Sequence, residues 1–153
     1  IAPRVWHITG ANSGLGLELV LKVLKEGDQV VAAVRSPNKI PDSLKVDGVK
    51  VLQYDLTFSQ EEMHAYAEKA FAVFGRVDVL VNNAGYAYMG AIEETEDSQV
   101  RTQFDINVFG ILRTIRAFLP HLRSQPASPD VVSAEALQPQ RHTTTECSSQ
   151  VLL

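Results

Sequence analysis

Between residues 5 and 25 the chain passes from a short apolar run, through a turn with three glycines, into a helical pattern of leucine and valine. The turn reads Thr9-Gly10-Ala11-Asn12-Ser13-Gly14-Leu15-Gly16. Glycines at those positions permit a tight reversal and let a ligand approach the backbone with no Cβ in the way. Beyond it, Leu15, Leu19, Val23 and Leu24 recur on one helical face, and Gly27 stands where a C-terminal cap belongs. A strand that feeds an amphipathic helix in this manner leads to a parallel neighbour by a right-handed crossover.

The rhythm continues. Residues 29–34, 49–54 and 77–81 are valine-rich runs of buried-strand length. Residues 36–47 carry two prolines and turn formers and read as a loop with at most one helical turn. Ser59 opens a helix, with Glu61 and Glu62 at the positive end of its dipole and Gly75 at its close. A long helix is predicted over 97–123, with Phe104, Val108, Ile111, Ile115, Phe118 and Leu119 inward and Pro120 kinking or shortening it. The expected fold is α/β, a Rossmann-like doubly wound parallel sheet truncated after about four strands and occupying residues 4–125. Residues 126–153 hold three prolines and no glycine, and read as an irregular or disordered tail. Val131-Val132 is the one hint of a strand there, so the fourth strand is expected to be an uncovered edge.

Bulk properties exclude several classes of function. With 153 residues the chain fits one domain, and its net charge of −4 argues against a nucleic-acid partner. No apolar run approaches the ~20 residues of a spanning helix and no signal peptide opens the chain, so no membrane partner is expected. A single cysteine, Cys147, leaves no internal disulfide and fits a reducing, cytoplasmic setting. His7, His64, His121 and His142 show no metal-ligand spacing, and no metal site is expected.

The glycine turn, set between strand and helix, reads as a dinucleotide site, because the helix offers free amides and its dipole to a pyrophosphate. A Walker-type loop would need Gly-Lys-Ser/Thr, which the sequence lacks. Gly10-x-x-x-Gly14-x-Gly16, with Thr9 in front, resembles the turn of the short-chain dehydrogenase/reductase family. Asn82-Asn83-Ala84-Gly85 resembles that family's second signature, and Asp55-Leu56-Thr57 its adenine-contacting segment. Asn107 matches an asparagine with which the family supports its active site. The resemblance covers about residues 4–125. It implies that Ser13 and Leu15 meet the phosphates, with Gly10 and Gly16 shaping the turn. It also implies that Asp55 and Leu56 flank the adenine, and that Asn83, Ala84 and Gly85 line the ribose and nicotinamide side. Arg116 matches a basic position often seen in the family. Taken alone, Asn82 and Asn83 also fit a tight turn held by side-chain amides, and Asp55 a cap or loop aspartate.

The second strand ends Ala33-Val34-Arg35-Ser36, with no acid to hold the 2′-hydroxyl of NAD. A guanidinium can instead pair with a 2′-phosphate, so NADP (NADPH) is the expected cofactor, with Ser36 beside Arg35. Arg35 also reads as a solvated surface arginine. The family's proton donor is a tyrosine followed by lysine in Tyr-x-x-x-Lys. None of Tyr54, Tyr66, Tyr86 and Tyr88 has lysine at that spacing, and the last lysine is Lys69. Glu146 and Gln150, at about the expected distance beyond Asn107, are no substitutes, and Ser133 is either a loop serine or a remnant of the family's serine. The resemblance therefore implies an NADP-dependent short-chain oxidoreductase that interconverts a small-molecule alcohol and carbonyl. The present chain is expected to be inactive or nearly so. The resemblance further implies a homo-oligomer through the 97–123 helix. The alternatives are a non-catalytic dinucleotide-binding or interaction module, and a product of altered splicing or reading frame, suggested by the change of composition near Gln125.

Overall fold

The computed structural model describes residues 2–126 and 130–133. Its strands are β1 (Val5–Thr9), β2 (Gln29–Val34), β3 (Val49–Gln53), β4 (Val79–Asn82) and β5 (Asp130–Ser133). They form one parallel sheet in the order β3-β2-β1-β4-β5. Chain order reverses between β1 and β4, and a crevice at such a switch point is where an open α/β sheet takes its ligand.

Successive side chains of a strand point to opposite faces, so β2 buries almost all of its run QVVAAV. Ile8, Val30, Ala32, Val34, Val79 and Val81 pack on one face with Val20 and Val23 of α1 (Gly14–Lys25). Leu44, from one of two short 3-10 turns between β2 and β3, closes that layer. The predicted loop at 36–47 is thus two such turns. On the other face Val5, Val31, Ala33 and Leu80 meet Met63, Tyr66, Ala67 and Ala70 of α2 (Gln60–Phe74). Ala117, Phe118 and Leu122 of α4 (Ile111–Ser124) complete that face. Gly75, at φ 77°, turns the chain out of α2 in the left-handed conformation that favours glycine.

Two expectations are corrected. The sheet does not stop at four strands: β5 pairs in parallel with β4, so β4 is internal and β5 is the edge. Asp130 donates its amide to the Asp78 carbonyl at 2.9 Å and takes an ion pair from Arg4 at 2.8 Å, which docks the strand's first residue. The predicted long helix is α3 (Asp97–Phe104), a π-helical turn over Asp105–Gly110, and α4, and it runs past Pro120 to Ser124. A π turn holds more residues than an α turn, so a 3.6-residue period carried straight through it loses phase. Phe104 and Val108, predicted inward, are accordingly 41% exposed, whereas Phe118 is buried.

Candidate functional site

The carboxyl ends of β1, β2, β3 and β4 open on a cleft of about 1100 Å³. Its floor is pinned by one side chain. Thr9 Oγ1 accepts the amides of Asn83 and Ala84, each at 2.9 Å, and donates to the Val81 carbonyl at 3.3 Å. Asn83 returns the link, giving its Nδ2 proton to the Thr9 carbonyl at 2.8 Å. The asparagine motif after β4 is therefore bound to the glycine turn after β1.

Gly10 sits at φ 66° and donates its amide to Ala33 at 2.9 Å, so the turn is also tied to β2. A Cβ on Gly16 would lie 2.3 Å from the Gly10 carbonyl oxygen and 2.5 Å from Asn83 Nδ2, which glycine alone avoids. Around Gly14 the space is open. Ser13, at the start of α1, makes no side-chain cap bond, and the first turn carries no acid. The helix thus turns bare amides and the positive end of its dipole toward the cleft, an arrangement suited to an anion.

The sequence-predicted residues gather here. Gly10, Ser13, Leu15, Arg35, Ser36, Asp55, Leu56, Asn83, Ala84 and Gly85 all line the cleft, with Gly16 buried beneath the turn. Asn107 stands outside the lining. From the π turn it accepts the Tyr86 amide at 2.9 Å and donates to the Tyr86 carbonyl at 2.7 Å. Arg116 is exposed on α4 and does not line the cleft. Asn82 is buried, and neither side-chain polar atom has a partner.

Sequence reasoning passed over Asn12, Lys39, Tyr86 and Ile106, and Glu18 of α1, an acid beside the glycine turn, which also line the cleft. Asn12 stands inside the glycine turn and Tyr86 directly after the asparagine motif, so both could have been read from them. Lys39 ends the 3-10 turn Pro37–Lys39 just after Arg35 and lines the cleft with it. Tyr54 closes the floor beyond β3 and shares a hydrogen bond of 2.6 Å with Thr114. Burial pushes its phenol up to about 12 against the opposing effect of that bond, so it keeps its proton at neutral pH. His7, predicted as a packed or half-exposed strand residue, is fully buried with Nε2 2.8 Å from the Tyr66 hydroxyl. Its pKa falls to about 3 through desolvation. Among the described residues no cluster of His, Cys, Asp and Glu could hold a metal, and no helix is long and apolar enough to cross a membrane.

Comparison with known proteins agrees with this geometry. The sequence model of the short chain dehydrogenase family matches residues 4–145, beyond the boundary expected at 125. The oxidoreductase BOA17 of Botryotinia fuckeliana is 34% identical over 125 residues, covering 80% of this chain and 45% of that protein. Human retinol dehydrogenase 8 is 33% identical over 142 residues, covering 89% and 45%. Among solved structures, a short-chain dehydrogenase from Streptomyces avermitilis superposes with a TM-score of 0.78 at 36% identity, covering 86% of this chain and 49% of that one. A short chain dehydrogenase/reductase from Burkholderia phymatum, crystallised with NAD, gives 0.77 at 26% identity, covering 86% and 48%. The chain spans about half the length of these relatives. With the motifs at their strand ends and the family match over most of its length, the chain belongs to the short-chain dehydrogenase family.

Proposed function

We propose that the cleft binds NADP(H), and that the whole protein is an NADP-dependent oxidoreductase interconverting an alcohol and a carbonyl on a small molecule. Arg35 carries this reading. It is exposed at the end of β2, lines the cleft, and has no ion-pair partner among the described residues. Ser36 and Lys39 stand at the same rim, where an NAD-specific site would place an acid. A guanidinium with its donors free is suited to a 2′-phosphate.

The residues present fit the dinucleotide. The close approach of Gly16 to Gly10, the open space at Gly14 and the uncapped start of α1 make a cradle for pyrophosphate. Asp55 and Leu56 would flank the adenine, and Asn83, Ala84 and Gly85 the other half. When bound, the cofactor supplies or accepts hydride. The chain's own part is to bind and orient it, with Asn107 holding the backbone of Tyr86 at the cleft wall. Because no tyrosine in the sequence is followed by lysine at the family's spacing, we propose that this 153-residue chain binds without turnover.

The outward face of Phe104, Val108, Phe109 and Leu112 supports pairing with a second copy, and the cytosol is the setting we propose. The alternative, an interaction module without catalysis, is favoured by β5, whose Val131 and Val132 are 42% and 47% exposed at the open edge. Fluorescence titration tests the cofactor reading. NADPH should bind about tenfold or more tighter than NADH, roughly 1.5 kcal/mol for a charge-assisted contact, and Arg35→Asp should abolish that preference. Equal affinity for both in the native chain would refute NADP specificity. NADPH consumption by the purified chain with any carbonyl would refute its inactivity.

A further inference from the structure

Arg113 is used by none of the motifs, yet it joins Leu56, which lines the cleft, to Asp105 of the π turn. It projects from the first turn of α4 with its side chain four-fifths buried. Nη2 donates to the Leu56 carbonyl at 2.8 Å, in the loop between β3 and α2 that lines the cleft. Nη1 donates to the Asp105 carboxylate at 3.0 Å, and Nη2 also approaches the Asp105 carbonyl at 3.5 Å. Asp105 is the first residue of the π turn. Such turns leave backbone groups out of the regular α-helical ladder, and a fork of fixed donors can collect a carbonyl and a carboxylate together.

The same turn carries Asn107, whose amide holds both backbone groups of Tyr86, another residue of the cleft lining. It ends on Gly110, where a Cβ would stand 2.7 Å from the Leu56 carbonyl oxygen and 3.0 Å from Leu56 Cβ. The loop and the helix therefore meet backbone to backbone, and Arg113 fastens the contact. We propose that Arg113 is a positioning residue: it pins the loop of Asp55 and Leu56 to the π turn of Asn107, so that one side chain couples that loop to the turn that holds Tyr86. Its bearing on cofactor affinity rests on the reading that the cleft holds a dinucleotide. The linkage of loop, turn and Tyr86 does not.

Hydrogen exchange on the 153-residue chain, without ligand, tests the linkage. Arg113→Met should speed exchange of the Tyr86 amide at least tenfold while Ala32, in the middle of β2, keeps its rate. Arg113→Lys, a point charge able to reach one acceptor at a time, should give a smaller acceleration at the same amide. Arg123→Met, on the same helix near its exposed end, should change neither. A second arm titrates NADPH, whose affinity should fall about tenfold in Arg113→Met and less in Arg113→Lys. Unchanged exchange at Tyr86 would overturn the proposal, as would equal acceleration at Tyr86 and Ala32, which marks general destabilisation. Should the methionine variant not fold, the lysine variant decides by the same two amides. If the native chain takes up no NADPH, the cofactor reading fails while the exchange arm still judges Arg113.

Discussion

The first turns of α1 and α2 both follow a strand of the same sheet, yet they are finished in opposite ways. At α2, Ser59 Oγ accepts the Glu62 amide at 3.2 Å and Glu62 returns a bond to the Ser59 amide at 2.8 Å, a complete capping box. Glu61 and Glu62 also answer the dipole. At α1 the serine in the same place bonds nothing with its side chain, and the first turn holds no acid, the nearest being Glu18 one turn on. One helix satisfies its free amides from its own sequence. The other presents them to a cleft, forgoing about 1 kcal/mol of capping and leaving the amides free for the anion proposed above. The glycines that shape α1's approach would be wasted if its amides were capped.

The comparison can be strained first by acid, the largest expected effect, because α2 also holds Tyr66 against the buried His7. His7 has a folded pKa of about 3 against an ordinary 6.5. Between those values the unfolded chain takes up a proton that the folded chain refuses, so stability is full above about pH 6.5 and falls as the pH drops. The slope should approach ~1.4 kcal/mol per pH unit from this group alone. Urea unfolding at stepped pH values should show it, and His7→Gln should flatten it; an unchanged slope would contradict the buried neutral imidazole. Next comes Gly16→Ala, which forces a methyl against the Gly10 carbonyl and Asn83. It should cost about 1–3 kcal/mol in thermal or urea unfolding and weaken NADPH binding with it. The smallest effects divide the helices directly. Ser59→Ala should cost about 1 kcal/mol, while Ser13→Ala should stay within ~0.5 kcal/mol in the ligand-free chain. Equal losses at the two serines would erase the distinction drawn between the helices.

Most of the frame was legible because it is local. A glycine turn after a valine-rich run, and asparagines after another, mark strand ends without any knowledge of what lies across the sheet. Three features needed tertiary information. β5 is four residues long, with two valines between polar neighbours, and its docking depends on Asp78 and Arg4 far along the chain. The π turn removed the phase on which the inward positions of the long helix were predicted. That Arg113, and not the Arg116 singled out from the sequence, reaches the cleft's frame was closed to spacing arguments. The two stand three residues apart on one helix, but Arg113 meets Leu56 across 57 positions while Arg116 faces outward.

The Thr9 hydroxyl has a consequence for how a ligand must come and go. It accepts two amides and gives its proton to a carbonyl, so its hydrogen-bonding valence is filled by the far side of the switch point. Strands β1 and β4 cannot splay at their tips without breaking all three bonds at once. The crevice therefore has a rigid keel, and admission is left to its lips: the short turns beyond β2 and the segment from Tyr86 onward. Entry and release should follow the tempo of surface loops, with the sheet beneath acting as a fixed gauge of the bound molecule's width.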